Sequence, residues 1–158
     1  MCAIYKSGST WLNYELSTSA PRVLSGRGLA YDANTGYVYY VGNDGFIYRF
    51  ICVNNIWTAS KVSASQSYMV RADSELELSV SGTTIFYVDQ AGDICNLWKN
   101  GTVWANGKLY TLPVGKKVDA GTDITYESDA LYYIAGSKIG KVFYNGGWQH
   151  ADIHQPEY

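Results

Sequence analysis

The sequence predicts an all-β fold: a β-propeller of four-stranded antiparallel blades, with about three and a half repeats of about 47 residues in the chain. Three markers sharing one spacing predict it. Four tryptophans stand in matching contexts, Ser9-Thr10-Trp11, Asn55-Ile56-Trp57, Thr102-Val103-Trp104 and Gly146-Gly147-Trp148, at separations of 46, 47 and 44 residues. An aromatic pair followed by a β-branched residue recurs as Tyr39-Tyr40-Val41, Phe86-Tyr87-Val88 and Tyr132-Tyr133-Ile134, at 47 and 46 residues. Between these markers lies a turn with another apolar strand: Gly45-Phe46-Ile47-Tyr48, Gly92-Asp93-Ile94-Cys95 and Ser137-Lys138-Ile139-Gly140. A β-sandwich or barrel also has short strands with regular turns, but it does not explain the period.

Each repeat reads as four strands bounded by Gly, Asn, Asp or Ser. In the second full copy they fall near Leu76 to Val80, Thr84 to Asp89, Asp93 to Lys99 and Val103 to Leu109. The last turn there is Asn100-Gly101, a dipeptide suited to the paired positive φ angles of a tight hairpin. Asn145-Gly146, Asn54-Asn55 and Ser7-Gly8 take its place elsewhere. The chain opens with a half blade over residues 1–27, of which Ala3 to Lys6 and Trp11 to Leu16 are the strands, and blades follow over 28–74, 75–122 and 123–158. One repeat domain is expected. A four-stranded meander cannot bury its two faces alone, so copies must stack. Because propellers close with about four to eight blades, this count calls for partners: a homo-oligomer, with a dimer favoured, or a chain that is a segment of a longer propeller.

Composition supports strands over helices and excludes several functions. The chain has fifteen Tyr, five Trp and sixteen Gly, but only 16% charged residues. A net charge of −2 provides no basic field for a phosphate backbone, so nucleic acid is not an expected partner. No apolar run is long enough to span a bilayer, and no membrane insertion is expected. Met1-Cys2-Ala3-Ile4 leads straight into repeat sequence without a basic or long apolar leader. The expected location is therefore cytoplasmic, or outside by a non-classical route, unless the chain is part of a secreted protein. Cys2, Cys52 and Cys95 have neither CxxC spacing nor a nearby His pair, so buried free thiols are expected and a metal or other cofactor is not. Asn100-Gly101-Thr102 forms a sequon, read here as a turn.

At these residues the sequence resembles the fucose-lectin-type propellers. The match is best over Ile85-Phe86-Tyr87-Val88-Asp89-Gln90-Ala91-Gly92-Asp93-Ile94 and Trp98-Lys99-Asn100-Gly101-Thr102-Val103-Trp104. The resemblance implies sugar pockets between adjacent blades, where an Arg of the second strand, a Glu of the third and Trp rings of the next blade clamp the ligand. This chain departs from that pattern: Val38, Ile85 and Leu131 stand where the family has Arg, and Arg49, Asn96 and Lys141 where it has Glu. Only the Trp of the fourth strand recurs in every copy. A lectin-like role is implied, but fucose is not.

The candidate ligand-binding residues are therefore Trp11, Trp57, Trp104 and Trp148, with Arg49, Asn96 and Lys141 at one polar repeat position and Tyr144 at the next. Aromatic faces stack on the C–H face of a sugar ring while polar groups read its hydroxyls. The same tryptophans also suit inter-blade packing, and the polar trio also suits plain exposed strand positions. His150 and His154 are the only histidines, no Ser/His/Asp order or nucleophile elbow occurs, and no spacing marks a glycosidase carboxylate pair. Repetition also favours equal binding sites over one asymmetric active site. The expected function is thus a non-enzymatic, multivalent lectin whose partners are glycans, with a structural or protein-interaction propeller as the alternative.

Overall fold

A computed structural model describes residues 2–7, 9–15, 22, 28–54, 56–63 and 66–153. It is all-β, with three four-stranded antiparallel sheets and one two-stranded sheet, and no α-helix among the described residues. The leading pair is β1 (Cys2–Ser7) and β2 (Thr10–Glu15). Sheet I holds β3 (Leu29–Asp32), β4 (Tyr37–Val41), β5 (Ile47–Val53) and β6 (Ile56–Lys61). Sheet II holds β7 (Glu77–Leu78), β8 (Thr84–Val88), β9 (Ile94–Asn100) and β10 (Val103–Tyr110). Sheet III holds β11 (Ile124–Glu127), β12 (Ala130–Ala135), β13 (Lys138–Tyr144) and β14 (Trp148–Ile153). Every sheet is a meander in chain order, because each turn is short enough for neighbouring segments to pair first.

The sheets stack face to face. Tyr39, Val41 and Ile47 of sheet I pack on Ile85, Tyr87, Cys95 and Leu97 of sheet II. From the opposite face of sheet II, Phe86, Val88 and Ile94 pack on Leu131, Tyr133 and Val142 of sheet III. Sheet II is thus covered on both sides, which is why Ile85-Phe86-Tyr87-Val88 is an unbroken apolar run and not an alternating one. Each such side chain stabilises by about 1.5–3 kcal/mol when fully buried, and none could reach that in an isolated sheet. The first strands sit in a row, β7 touching β3 on one side and β11 on the other. The described sheets do not close a ring.

Two local expectations differ from the structure. The strand expected over Leu76 to Val80 pairs only at Glu77–Leu78, because Ser79 begins the turn: its backbone N–H donates to the Thr84 carbonyl, and the Thr84 N–H donates to its hydroxyl oxygen. Val80 points to solvent. At the Asn100-Gly101 hairpin only Gly101 has a positive φ, at 60°, since Asn100 is still paired with Val103 as the last residue of its strand. The expectation of buried thiols holds for Cys95 and fails for Cys52. Cys95 is buried between sheets I and II, where burial pushes its thiol pKa up. Cys52 is exposed, because β5 runs on past its last pairing with β4 at Phe50.

Candidate functional site

Among the described residues the stacking leaves an open groove at the rim between sheets I and II and another between sheets II and III. Between sheets II and III the groove encloses about 360 Å³. Sheet II contributes Ser79 and Ser81 from the β7–β8 turn, with Thr84 and Phe86 from β8; sheet III contributes Tyr126, Asp129, Tyr144 and Trp148. Its aromatic lining is built from ring pairs. Phe86 stacks on Tyr126 across the interface at 5.0 Å, and Tyr144 meets Trp148 edge to face at 5.7 Å. That edge-to-face pair follows from register, since Tyr144 is directly opposite Trp148 in the β13–β14 ladder.

The polar side of this groove comes from turns. Glu127 pairs with Ala130, leaving a two-residue loop in which Ser128 and Asp129 both have positive φ, 50° and 61°. That is the backbone of a tight hairpin turn, held here without glycine. It brings the Asp129 carboxylate to the Tyr126 hydroxyl, which donates to Oδ1 at 2.7 Å and has its pKa raised by that hydrogen bond and by burial. Opposite, the hydroxyls of Ser79, Ser81 and Thr83 form a chain at 3.2 and 2.7 Å. Apolar rings around hydroxyls and one carboxylate suit a neutral polyol with a C–H face.

Between sheets I and II the corresponding groove is smaller, about 160 Å³. Arg49, from β5, lies over the Tyr37 ring with Cζ at 5.0 Å from its centroid, and Trp104 meets Tyr39 edge to face at 5.8 Å. Lys99 reaches the groove from sheet II and Asp32 from sheet I. Asp32 is buried and internally satisfied, accepting from the Asn34 N–H at 2.9 Å and the Thr35 hydroxyl at 2.5 Å. Burial and the Asp32 charge push the Tyr39 hydroxyl pKa up to about 12. Gly82, at φ 68°, lets the β7–β8 turn pass over Asp32: a Cβ there would lie 2.8 Å from its carboxylate oxygen.

The structure brings the sequence candidates together in pairs. Trp148 and Tyr144 share the II/III groove, and Asn96 sits beside Phe86 across the β8–β9 ladder on the same face. Trp104 and Arg49 share the I/II groove. Trp57 is apart from both, stacked on Phe50 at 5.1 Å on the face of sheet I turned away from sheet II. Lys141 lies on the outer face of sheet III, above Tyr132 and Phe143 at 5.5 and 5.3 Å. The side chain of Trp11, on β2, falls outside the described residues. Val38, Ile85 and Leu131 belong to packed faces, Ile85 and Leu131 without any exposure, so no arginine could reach a ligand from those two positions.

Sequence reasoning missed Phe86, Tyr126 and Asp129 as groove residues. Phe86 was visible only as a strand marker, and the Glu127-Ser128-Asp129-Ala130 turn is signalled only by its polar centre. Among the described residues no group of three or more His, Cys, Asp or Glu is arranged to hold a metal, and no helix is long and apolar enough to cross a membrane.

No protein-family model matches the sequence, and no characterised protein matches it at the sequence level. Solved structures do share its fold. AofleA from Arthrobotrys oligospora superposes with TM-score 0.58 at 16% identity, over 89% of this chain and 46% of that one. YCF48 from Cyanidioschyzon merolae superposes with TM-score 0.52 at 14% identity, over 85% and 38%. A fucose lectin from Kordia zhangzhouensis, in complex with methyl-fucoside, gives 0.45 at 15% identity, over 80% and 97%. The chain spans about half the length of AofleA. Its sheets are therefore arranged as in propeller-like proteins.

Proposed function

We propose that this chain is a non-enzymatic carbohydrate-binding protein, its sheets acting as propeller blades and its ligands seated in the grooves between them. The observation that carries this reading is the II/III groove, in which Phe86, Tyr126, Tyr144 and Trp148 surround serine and threonine hydroxyls and the Asp129 carboxylate in an open cavity of about 360 Å³. That volume falls in the range of small-molecule sites, and its chemistry suits a neutral sugar. Recurrence of the groove between successive blades makes binding multivalent, so weak single sites add up to strong attachment.

Closure of the ring belongs to the same proposal. The outer face of sheet III presents Ile134, Ile139 and Ile153, 45%, 38% and 37% exposed, whereas Val41, Val88, Ile47 and Ile94 at the aligned positions of sheets I and II are fully buried. A second copy of the chain covers that face, forming a dimer. The fold shared with AofleA, about twice as long, supports such a doubling.

The test is a screen of neutral glycans, with light scattering for mass, on the native chain and on Trp148→Ala. Sugar binding by a dimer, weakened about tenfold or more in a folded Trp148→Ala variant, is the expected result, tenfold being about 1.4 kcal/mol. The stacking of Trp57 on Phe50 favours packing for at least that tryptophan. A chain that binds no glycan, and whose tryptophan variants unfold, is a scaffold.

A further inference from the structure

We infer that the groove between sheets I and II takes the anionic substituent of an acidic saccharide, a carboxylate or sulfate, while the II/III groove takes a neutral sugar. The inference rests on the lectin reading and divides its sites by charge. The I/II groove is lined by Arg49 and Lys99, whose sequence-aligned counterparts are Asn96, beside Phe86 on the face of sheet II turned to sheet III, and Tyr144, which lines the II/III groove. Among the described residues neither cation has an ion-pair partner. Arg49 is held in place by the Tyr37 ring beneath it, and its Nε is buried without a hydrogen-bond partner. The guanidinium lines the groove, where a carboxylate or sulfate oxyanion can take two of its donors at once. The single carboxylate in the groove does not supply that partner: Asp32 turns its two oxygens to the Asn34 N–H and the Thr35 hydroxyl.

The two grooves therefore carry opposite charge at their mouths. Arg49 and Lys99 outweigh Asp32 in one, and Asp129 is the charged lining residue of the other. An anion is drawn to the first and repelled by the second. Volume points the same way: about 160 Å³ suits a substituent and its immediate neighbours, and about 360 Å³ a whole ring.

The experiment compares three probes by titration calorimetry and amide NMR: a neutral oligosaccharide, the same oligosaccharide ending in a uronate, and its sulfated form. They are measured on the native chain, on Arg49→Gln, on Arg49→Lys and on Trp148→Ala, with thermal unfolding as the control for folding. The expected result is that one or both acidic probes bind at least tenfold more tightly than the neutral one and that added salt reduces the difference. Arg49→Gln removes that advantage and Arg49→Lys keeps part of it, while the shifts that the neutral probe causes around Trp148, in the groove Arg49 does not line, are unchanged. Preference for uronate over sulfate, or the reverse, identifies the substituent. Neutral binding that depends on Trp148, with no acidic preference or with one indifferent to Arg49, overturns this inference and leaves the lectin reading standing. No saccharide binding, but free acetate or inorganic sulfate shifting the signals around Arg49, leaves an anion site only, which overturns its assignment to a saccharide and removes the lectin reading. No binding of any probe removes both.

Discussion

Where sheet I meets sheet II, Val41 and Ile47 lie deep in the interface; where sheet II meets sheet III, Val88 and Ile94 take the aligned places and are equally buried. Toward the rim the likeness ends: Arg49 and Lys99 line one groove, while the aligned residues of the next interface are Asn96 and Tyr144, of which Tyr144 lines the other groove. The depth of an interface must exclude water and fill space, so its residues stay aliphatic. The rim is open to solvent, where charge, ring and amide are all tolerated, and that is where binding chemistry diverges. Sheet III offers the third member of the comparison, the same aliphatic positions with no sheet across from them among the described residues.

The largest expected effect tests depth. Ile94→Ala should lower the unfolding free energy in urea by about 2–5 kcal/mol, as a buried truncation does. Ile139→Ala at the aligned position should cost under about 1 kcal/mol at dilutions where the chain is single. Equal costs would mean that the outer face of sheet III is covered even there.

A smaller effect distinguishes the partners of β12. Tyr133 projects over Gly140 on β13, and a Cβ at that glycine would run into the ring, whereas Cys95 holds the aligned place in sheet II. Gly140→Ala should therefore destabilise by about 1–3 kcal/mol, the usual range for overpacking, measured by thermal unfolding. Tolerance of alanine would mean that the Tyr133 ring can swing aside.

The smallest effect separates the turns by pH. Burial alone would push the Asp93 carboxyl up, but hydrogen bonds from Lys108, Lys117 and the Leu112 N–H more than offset it and hold its pKa below the usual carboxylate range. A carboxyl with a depressed folded-state pKa contributes stability above its unfolded value, near 3.8, and loses it as pH falls toward the folded one. Acid unfolding of the native chain should therefore steepen below about pH 4. Asp93→Asn should be less stable at pH 7 and show a flatter acid limb. An identical acid limb in the variant would assign the acid sensitivity to other groups, such as Asp44 beside Tyr48 and Lys61.

Much of the fold was legible because stacking writes itself into the sequence. Tyr40, Tyr87 and Tyr133 are recognisable from a spacing that needs no knowledge of three dimensions, and the unbroken run from Ile85 to Val88 already marks a sheet covered on both faces. The site was legible in halves. Trp104 with Arg49, and Trp148 with Tyr144, were singled out and do share grooves. The rest of each groove was not, because Phe86 comes from the neighbouring sheet, and Tyr37, Tyr126 and Asp129 lie in or beside the first turn of a sheet, whose length differs between copies. Nor could the shared repeat position of Arg49 and Lys141 reveal that one lies in a groove and the other on an open face.

The sequence by itself determined the strands, their meander order and the alternation that assigns each side chain to a face, since these depend on local turns and a period of two. Tertiary structure alone decided which faces meet, and hence which rims become grooves. A groove has two walls from segments about 47 residues apart, and their charge and volume exist as a site only once the sheets have stacked.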